Sequence, residues 1–407
     1  MNKYEVAEEQ LEAWHGLPRE VRYCKSCVMS NQKPNTSIEH KNAGTKRSYI
    51  GFDAEGVCAA CRYNEKKLRI DWSKREEDLL RLLDRYRRKD GWYDVIIPCS
   101  GGKDSAYAAH ILKVKYGMNP LTVTWRPIIY RPVGWQNLSN MIHAGGLDNM
   151  LYSPNGQVQA LLTRLAYTNL LHPFQPFVLG QKNVGPKFSI HFGIPLVMYG
   201  ESNVEYGDPA STDEVEMSEI YFSMDQALEE TYLGGVSCRD LMKGHGLSLK
   251  DLEPYLPIDP NRARKAGTKV HYLGYYLRWD PQECYYYAKE HTGFTPEEER
   301  SEGTYCKYSD LDDKIAPVGF YGMHVKFGIG RTMYDASQEV RNGKITREEG
   351  VALCRKFDGE YPARHLPEIL AYMGISRAEF DAIADRFRSP HLWKKKDGRW
   401  ALRHPVA

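Results

Sequence analysis

The chain of 407 residues contains no run of about 18 apolar residues, so no helix is expected to span a membrane. It also lacks a strong excess of either charge: 55 Lys and Arg stand against 53 Asp and Glu, a formal net charge of +2. A dedicated nucleic-acid binder carries a marked basic excess, so nucleic acid is not an expected partner. Internal repeats and low-complexity segments are absent, which sets aside repeat architectures. The opening stretch from Met1 to Gly16 has neither the basic start nor the apolar core of a signal peptide, and a cytoplasmic protein is the expectation. Cysteine is sparse and odd in number, at nine. In a long unsecreted chain that favours metal ligation or free thiols over a disulfide framework.

What is present is the composition of an ordinary soluble globular protein, 42% hydrophobic and 27% charged, with length enough for two domains or for one large domain with an appendage. Residues 1–20 read as a short helix ending near Gly16-Leu17-Pro18. Residues 64–90 read as a charged linking helix with Leu68, Leu79, Leu80, Leu82 and Leu83 on one face. Tyr93–Pro98, Leu121–Trp125, Ile194–Tyr199 and Val270–Leu277 read as buried strands, and Ser105–Tyr116 and Gly156–Leu171 as helices between them. Strands alternating with helices predict an α/β fold, a doubly wound parallel sheet. The last third reads as helical. Thr295-Pro-Glu-Glu298, Thr346-Arg-Glu-Glu349 and Ser376-Arg-Ala-Glu379 each fit a capping box. His391 to Trp400 reads as an exposed basic, aromatic tail.

The strongest chemical signal is Ser100-Gly101-Gly102-Lys103-Asp104-Ser105, between a predicted strand and a predicted helix. Two glycines let the backbone turn tightly and approach an anion with no Cβ in the way. The loop amides and the helix N-terminus then point at that anion. Ser100 and Ser105 add hydroxyls, Lys103 adds positive charge, and Asp104 can hold Mg²⁺ against phosphate oxygens. A Walker A loop needs four residues between Gly and Gly-Lys-Ser/Thr, and this loop does not have them. Cys99 before it reads as a small buried filler.

Two further pairs, Cys24-x-x-Cys27 and Cys58-x-x-Cys61, offer four thiolates in tetrahedral array. Structural zinc is the first reading, since four sulfur ligands leave no open position for chemistry. An iron–sulfur cluster or a redox pair is the alternative. Cys238, Cys284, Cys306 and Cys354 are isolated and read as plain thiols.

The loop resembles the SGGxDS pyrophosphate loop of the PP-loop ATP pyrophosphatases. Together with Tyr23-Cys-Lys-Ser-Cys-Val-Met29, Gly56-Val-Cys-Ala-Ala-Cys61, Ile142-His-Ala-Gly-Gly146, His172-Pro-Phe-Gln-Pro176, Gly180-Gln-Lys-Asn183, Tyr199-Gly-Glu-Ser-Asn203 and Lys326-Phe-Gly-Ile-Gly-Arg331, the chain resembles the N-acetyl sugar amidotransferases of bacterial surface polysaccharide and O-antigen synthesis, from about residue 22 to 360. The resemblance implies an adenine nucleotide alpha hydrolase-like fold and cleavage of ATP between its α and β phosphates. It implies conversion of an acetamido group on a sugar to an acetamidino group through an adenylylated imidate. Ser100 to Ser105 would grip pyrophosphate and Mg²⁺, with Lys103 and Asp104 catalytic. Glu201, Asn203 and Glu205 are candidates for orienting ammonia, the acetamido group or metal. Lys182, Lys326 and Arg331 are candidates for phosphates of ATP or of a nucleotide sugar, and His143 is a weaker candidate.

Position 2 is Asn2, not the cysteine nucleophile of asparagine synthetase, so ammonia is expected from a separate partner; the resemblance implies a glutaminase with a cyclase-like channelling subunit. The expected substrate is a UDP-linked diacetamido mannuronic acid first, a nonulosonic acid second. The implied division is an N-terminal helix and four-cysteine zinc module over 1–70, the ATP pyrophosphatase domain over 71–292 with a helical insertion at about 205–265, and a mostly helical region over 293–407. A tRNA-thiolating enzyme and a non-catalytic zinc-containing assembly subunit are the rival readings. The near-neutral charge argues against the first, and the intact Ser, Lys and Asp of the loop against the second.

Overall fold

The computed structural model describes residues 3–35, 39, 48–201, 203–207, 227–228 and 231–407. Helices α1 (Ala59–Lys67) and α2 (Trp72–Tyr86) precede the first strand, β1 (Val95–Pro98). Then follow α3 (Lys103–Val114), β2 (Pro120–Trp125), α4 (Pro132–His143), β3 (Asp148–Tyr152), α5 (Gly156–Leu170), α6 (Gln175–Phe192) and β4 (Leu196–Tyr199). A short hairpin, β5 (Tyr232–Leu233) and β6 (Val236–Ser237), leads into α7 (Cys238–His245), α8 (Leu249–Leu252) and α9 (Pro260–Ala266), and these return the chain to β7 (Lys269–Tyr272). After α10 (Leu273–Tyr276) and α11 (Pro281–His291) come α12 (Ala316–Phe327), α13 (Arg331–Arg341), α14 (Arg347–Phe357), α15 (Leu366–Met373) and α16 (Arg377–Arg386). The hairpin β8 (Trp393–Lys396) and β9 (Arg399–Leu402) closes the chain.

Five strands form one sheet in the order β3-β2-β1-β4-β7, all parallel. The expected α/β doubly wound sheet is present. The central strand is an unbroken apolar run because it is covered on both faces. Ile96 packs with α5 and α6 residues such as Leu162 and Val184. Val95 and Ile97 pack on the other face with Leu79, Ala109 and Met141. The chain runs outward from β1 in one direction through β2 and β3, then crosses back to β4 and β7. The loops after β1 and β4 therefore diverge, and an open parallel sheet places its crevice at that switch. No helix among the described residues is long and apolar enough to cross a membrane.

Several local expectations are corrected. In place of the helix expected over 1–20, the described residues 3–20 hold only a short 3₁₀ turn, Glu8–Gln10; Leu11 and Leu17 are buried by tertiary contact rather than by helix formation. The charged linker breaks into two helices, with Asp71 capping α2 through a bond from the Lys74 amide. Val270–Leu277 is strand only to Tyr272. The polar strand β3 escapes a search for apolar runs because it lies at the sheet edge. Thr346 and Ser376 do make capping boxes. Thr295 starts no helix: its amide is taken by Asn137 Oδ1 at 2.8 Å, and Asn137 Nδ2 donates back to its carbonyl at 2.9 Å. The C-terminal tail is a docked hairpin, with His391 and Trp393 buried and Trp393 Nε1 donating to the Val325 carbonyl at 2.8 Å. Of the insertion expected at 205–265, residues 208–226 and 229–230 lie outside the described residues.

The cysteine-bearing segment packs on the C-terminal helices instead of the sheet. Cys24, Cys27, Val28, Cys58 and Cys61 share an apolar cluster with Phe327, Ile329, Met333, Ala336, Cys354 and Trp393.

Candidate active site

The glycine loop leaves β1 at Pro98 and enters α3 at Lys103, so Lys103 and Asp104 form the first helical turn. Gly101 has φ +84°, and a Cβ there would stand 2.5 Å from the Leu138 backbone nitrogen of α4. Only glycine fits this position. The strand end is pinned by the Cys99 amide to the Val123 carbonyl at 2.8 Å, and by the Thr124 hydroxyl to the Cys99 carbonyl at 2.6 Å. Inside the loop the Ser105 hydroxyl donates to the Gly102 carbonyl at 3.1 Å. Gly102 caps α3 with no side-chain bond to its amides, which leaves that N-terminus aimed at the crevice as an anion seat. Cys99 is fully enclosed and its thiol is pushed up to about 11 by burial, as suits a filler and not a nucleophile.

Lys103 is buried and paired with Asp104. Burial alone would lower the Lys103 ammonium, but Asp104 and, beyond it, Glu201 outweigh burial and hold it above its usual range. The second Asp104 oxygen, Oδ1, is buried with no hydrogen-bond partner. A buried carboxylate oxygen left without a donor is costly.

Glu201 follows β4 and faces the same crevice. Burial, and then the Asp104 carboxylate, push its carboxyl up to about 7. The Tyr206 hydroxyl, which donates to it at 2.5 Å, pulls the other way, as do Lys103 and Arg331. Asn203 lies in the 3₁₀ turn Asn203–Tyr206 that carries Tyr206; its side chain lies outside the described residues.

These groups line a cavity of about 740 Å³ that also takes in Lys182, Lys326 and Arg331. Lys182 enters from α6. Lys326 is buried, bonded to Glu39 at 2.5 Å and to the Leu170 carbonyl at 2.8 Å. Arg331 pairs with Asp310 and with Asp335, the latter at 2.9 Å. Glu205 is placed apart from the cavity, in a buried ion pair with Lys67 at 2.8 Å. His143 ends α4 and is likewise not among the lining residues.

Sequence reasoning missed the acidic wall of the cavity. Asp310, Asp312, Asp335 and Glu339 line it. Asp312 is pushed up to about 6 by burial and by Asp310, against the Ser100 hydroxyl and Arg131. Burial raises the Asp335 and Glu339 carboxyls as well. The run Asp310-Leu-Asp-Asp313 and the four-residue spacing of Arg331 and Asp335 were the available signals, but neither says what it faces. These carboxylates do not form one cation site: among the described residues the group of three or more potential metal ligands with atoms within 4.8 Å of one another is the cysteine set, and Asp310 and Asp335 are both paired with Arg331.

At the cysteine cluster all four Sγ atoms lie within 4.8 Å of one another. Cys24 to Cys61 measures 3.8 Å and Cys27 to Cys58 measures 3.7 Å. A tetrahedron with metal–sulfur bonds of about 2.3 Å has edges of about 3.8 Å, so the set fits zinc. Backbone amides of Ser26, Cys27 and Cys58 point at Cys24 Sγ from 3.3 to 3.4 Å, and such donors stabilise a metal-bound thiolate. The isolated Cys238, Cys284, Cys306 and Cys354 are all buried, and Cys306 lines the cavity.

Residues 302–405 match the family model described as LPS biosynthesis protein WbpG-like, C-terminal domain. That stretch contains the whole acidic wall with Lys326 and Arg331. Over 77 residues the chain is 30% identical to the uncharacterized protein MJ1599 of Methanocaldococcus jannaschii, which amounts to 19% of this chain and 27% of that relative's length. The chain thus matches about a quarter of the length of this curated relative. Among solved structures, NMN synthetase from Francisella tularensis aligns over 76% of this chain and 96% of its own, at 12% identity and a TM-score of 0.26.

Proposed function

We propose that this protein is an ATP-dependent, AMP-forming amidotransferase of lipopolysaccharide synthesis, converting an acetamido group of a nucleotide-linked sugar or nonulosonic acid to an acetamidino group. One observation carries the ATP chemistry: a glycine turn at the carboxyl end of the central strand, with Lys103 and the unpartnered Asp104 oxygen buried at its back, opening into a cavity of about 740 Å³. The WbpG-like match over 302–405 supports the assignment to lipopolysaccharide synthesis.

Loop amides from Ser100 to Lys103 seat the β- and γ-phosphates, and Lys103 offsets the charge that grows on the departing pyrophosphate. Asp104, whose Oδ1 is buried without a hydrogen-bond partner, would hold Mg²⁺, which when bound neutralises phosphate oxygens. The acetamido oxygen bonds to the α-phosphorus as the bond to the β-phosphate oxygen breaks, and the amide nitrogen gives up its proton. Ammonia then adds at the imidate carbon. Glu201, poised near neutrality, takes a proton from the incoming nitrogen. The carbon–oxygen bond breaks and AMP leaves with the original oxygen. Lys182, Lys326 and Arg331 surround the remaining volume and suit the anionic part of a nucleotide sugar. Ammonia is supplied by a glutaminase and a channelling subunit, and the four cysteines hold structural zinc.

Mass spectrometry of candidate sugars incubated with ATP, Mg²⁺ and ammonium tests this reading. Exchange of oxygen for NH lowers the mass by about one unit, with AMP appearing in step. ADP as product, or no AMP with every partner supplied, would overturn it.

A further inference from the structure

Helix α1 runs from the second cysteine pair to the edge of the active site. Cys58 is its N-cap, Cys61 lies in its first turn, and Lys67 is its last residue. Nine residues are too few to hold a helix in water unaided, so tertiary anchors must hold it. The Lys67 side chain is buried and spends all three donors: 2.8 and 2.9 Å to the two Glu205 oxygens, and 3.1 Å to the Trp279 carbonyl. Glu205 belongs to the short turn after β4, and the next residue, Tyr206, donates to Glu201. The same turn ends at Gly207, with φ +67°, where a Cβ would lie 2.6 Å from the Ala60 nitrogen. Ala60 sits between Cys58 and Cys61. The turn is thus seated on the cysteine knuckle at one end of α1 and tied by an ion pair to the other.

A third strut comes from α13. Arg341 donates to the Glu205 carbonyl at 3.3 Å, and its own carbonyl accepts from Asn64 of α1 at 2.8 Å. Its guanidinium faces the charge of Cys27, Cys61 and Cys58.

We propose that Lys67 and Glu205 are positioning residues that carry the metal state of the four-cysteine cluster to Glu201. With metal bound, α1 is anchored, Lys67 holds Glu205, and the turn presents Tyr206 to Glu201. Without it α1 loses its anchor at the cysteine end, and the Lys67–Glu205 pair that ties its other end to the turn loosens. The turn then rearranges and Glu201 loses its tyrosine donor. The catalytic part of this inference rests on the role proposed for Glu201; the structural coupling does not.

Hydrogen exchange with mass spectrometry on the metal-loaded protein separates the two. Chelation is expected to raise exchange in residues 203–207 about tenfold or more, along with 59–67, while β2 and β3 stay protected. Lys67→Met and Glu205→Gln, with metal content confirmed by atomic emission, are expected to raise exchange in 203–207 without chelation. In an AMP-forming assay at pH 6.5 they are expected to lower kcat about threefold with KM for ATP within about twofold. Unchanged exchange in 203–207 after both chelation and Glu205→Gln would overturn the coupling. If Lys67→Met does not fold, Glu205→Gln and chelation of the unaltered protein still decide it. A wild-type protein that makes no AMP but shows the exchange changes would sink the proposed function and leave the coupling standing.

Discussion

The two walls of the cavity are built in opposite ways. On one side, residues 100–105 are neighbours in sequence, and their donors are largely backbone amides whose direction follows from a turn and a helix start. On the other, Asp310, Asp312, Asp335 and Glu339 come from a loop and from α13, and burial raises the carboxyls of Asp312, Asp335 and Glu339. The first wall is nearly independent of the rest of the chain once β1 and α3 are in place. The second exists only when the C-terminal helices close over the sheet. The loop therefore follows from local sequence, and the acidic wall follows from how the C-terminal region packs on the sheet.

The largest expected effect tests the loop. Asp104→Asn keeps the volume and removes the charge, so kcat for pyrophosphate release should fall about 10²–10³-fold with the fold intact by circular dichroism. A loss under about tenfold would show that Asp104 does not carry the cation.

Arg331→Met tests the second wall. It leaves Asp310 and Asp335 facing each other without their shared cation, and KM for the nucleotide sugar is expected to rise about tenfold in steady-state kinetics while the loop variant mainly lowers kcat. Equal effects on both parameters in both variants would erase the distinction between the walls.

Stability against pH compares them without catalysis. Glu201 and Asp312, at about 7 and about 6, sit above the range of an exposed carboxyl. The folded form therefore keeps protons that the unfolded chain has lost, and this contribution is complete at about pH 4 and lost as pH rises through about 6 to 7. The metal-free cavity should melt about 2–4 °C lower at pH 8 than at pH 5.5 for each kcal/mol involved, and added Mg²⁺ should recover the difference at pH 8 only. Thermal scans at the two pH values read this directly, and the same Mg²⁺ effect at both would contradict it.

The smallest effect belongs to Tyr206→Phe. Its hydroxyl holds the Glu201 carboxyl down, so its loss raises that carboxyl further and moves the acid limb of the kcat profile to higher pH. Activity at pH 6.5 should drop about threefold and recover by pH 8.5. An unchanged acid limb would remove Glu201 from the chemistry.

How much of this was legible in the chain alone follows the same division. The strand Val95–Pro98, the loop and the start of α3 are readable because apolar run, glycines and helix onset are contiguous. The cysteine pairs are readable because their spacing is their geometry, and the capping boxes at Thr346 and Ser376 because both partners lie within one turn. The box at Thr295 has the same letters, but Asn137, 158 residues away, takes its amide. Glu205 resembles Glu201 in sequence, yet one carboxylate faces the cavity and the other faces Lys67 on a different helix.

By itself, then, the amino-acid order determined the glycine loop, the sulfur tetrahedron and a sheet with helices on both faces, since each depends on bonds and spacings a few residues long. Tertiary structure alone decided which carboxylates meet, which of them are lifted toward neutrality, and that the cysteine knuckle sits beneath the turn that orients Glu201. Burial and long-range pairing depend on what lies across space, and no local pattern encodes that.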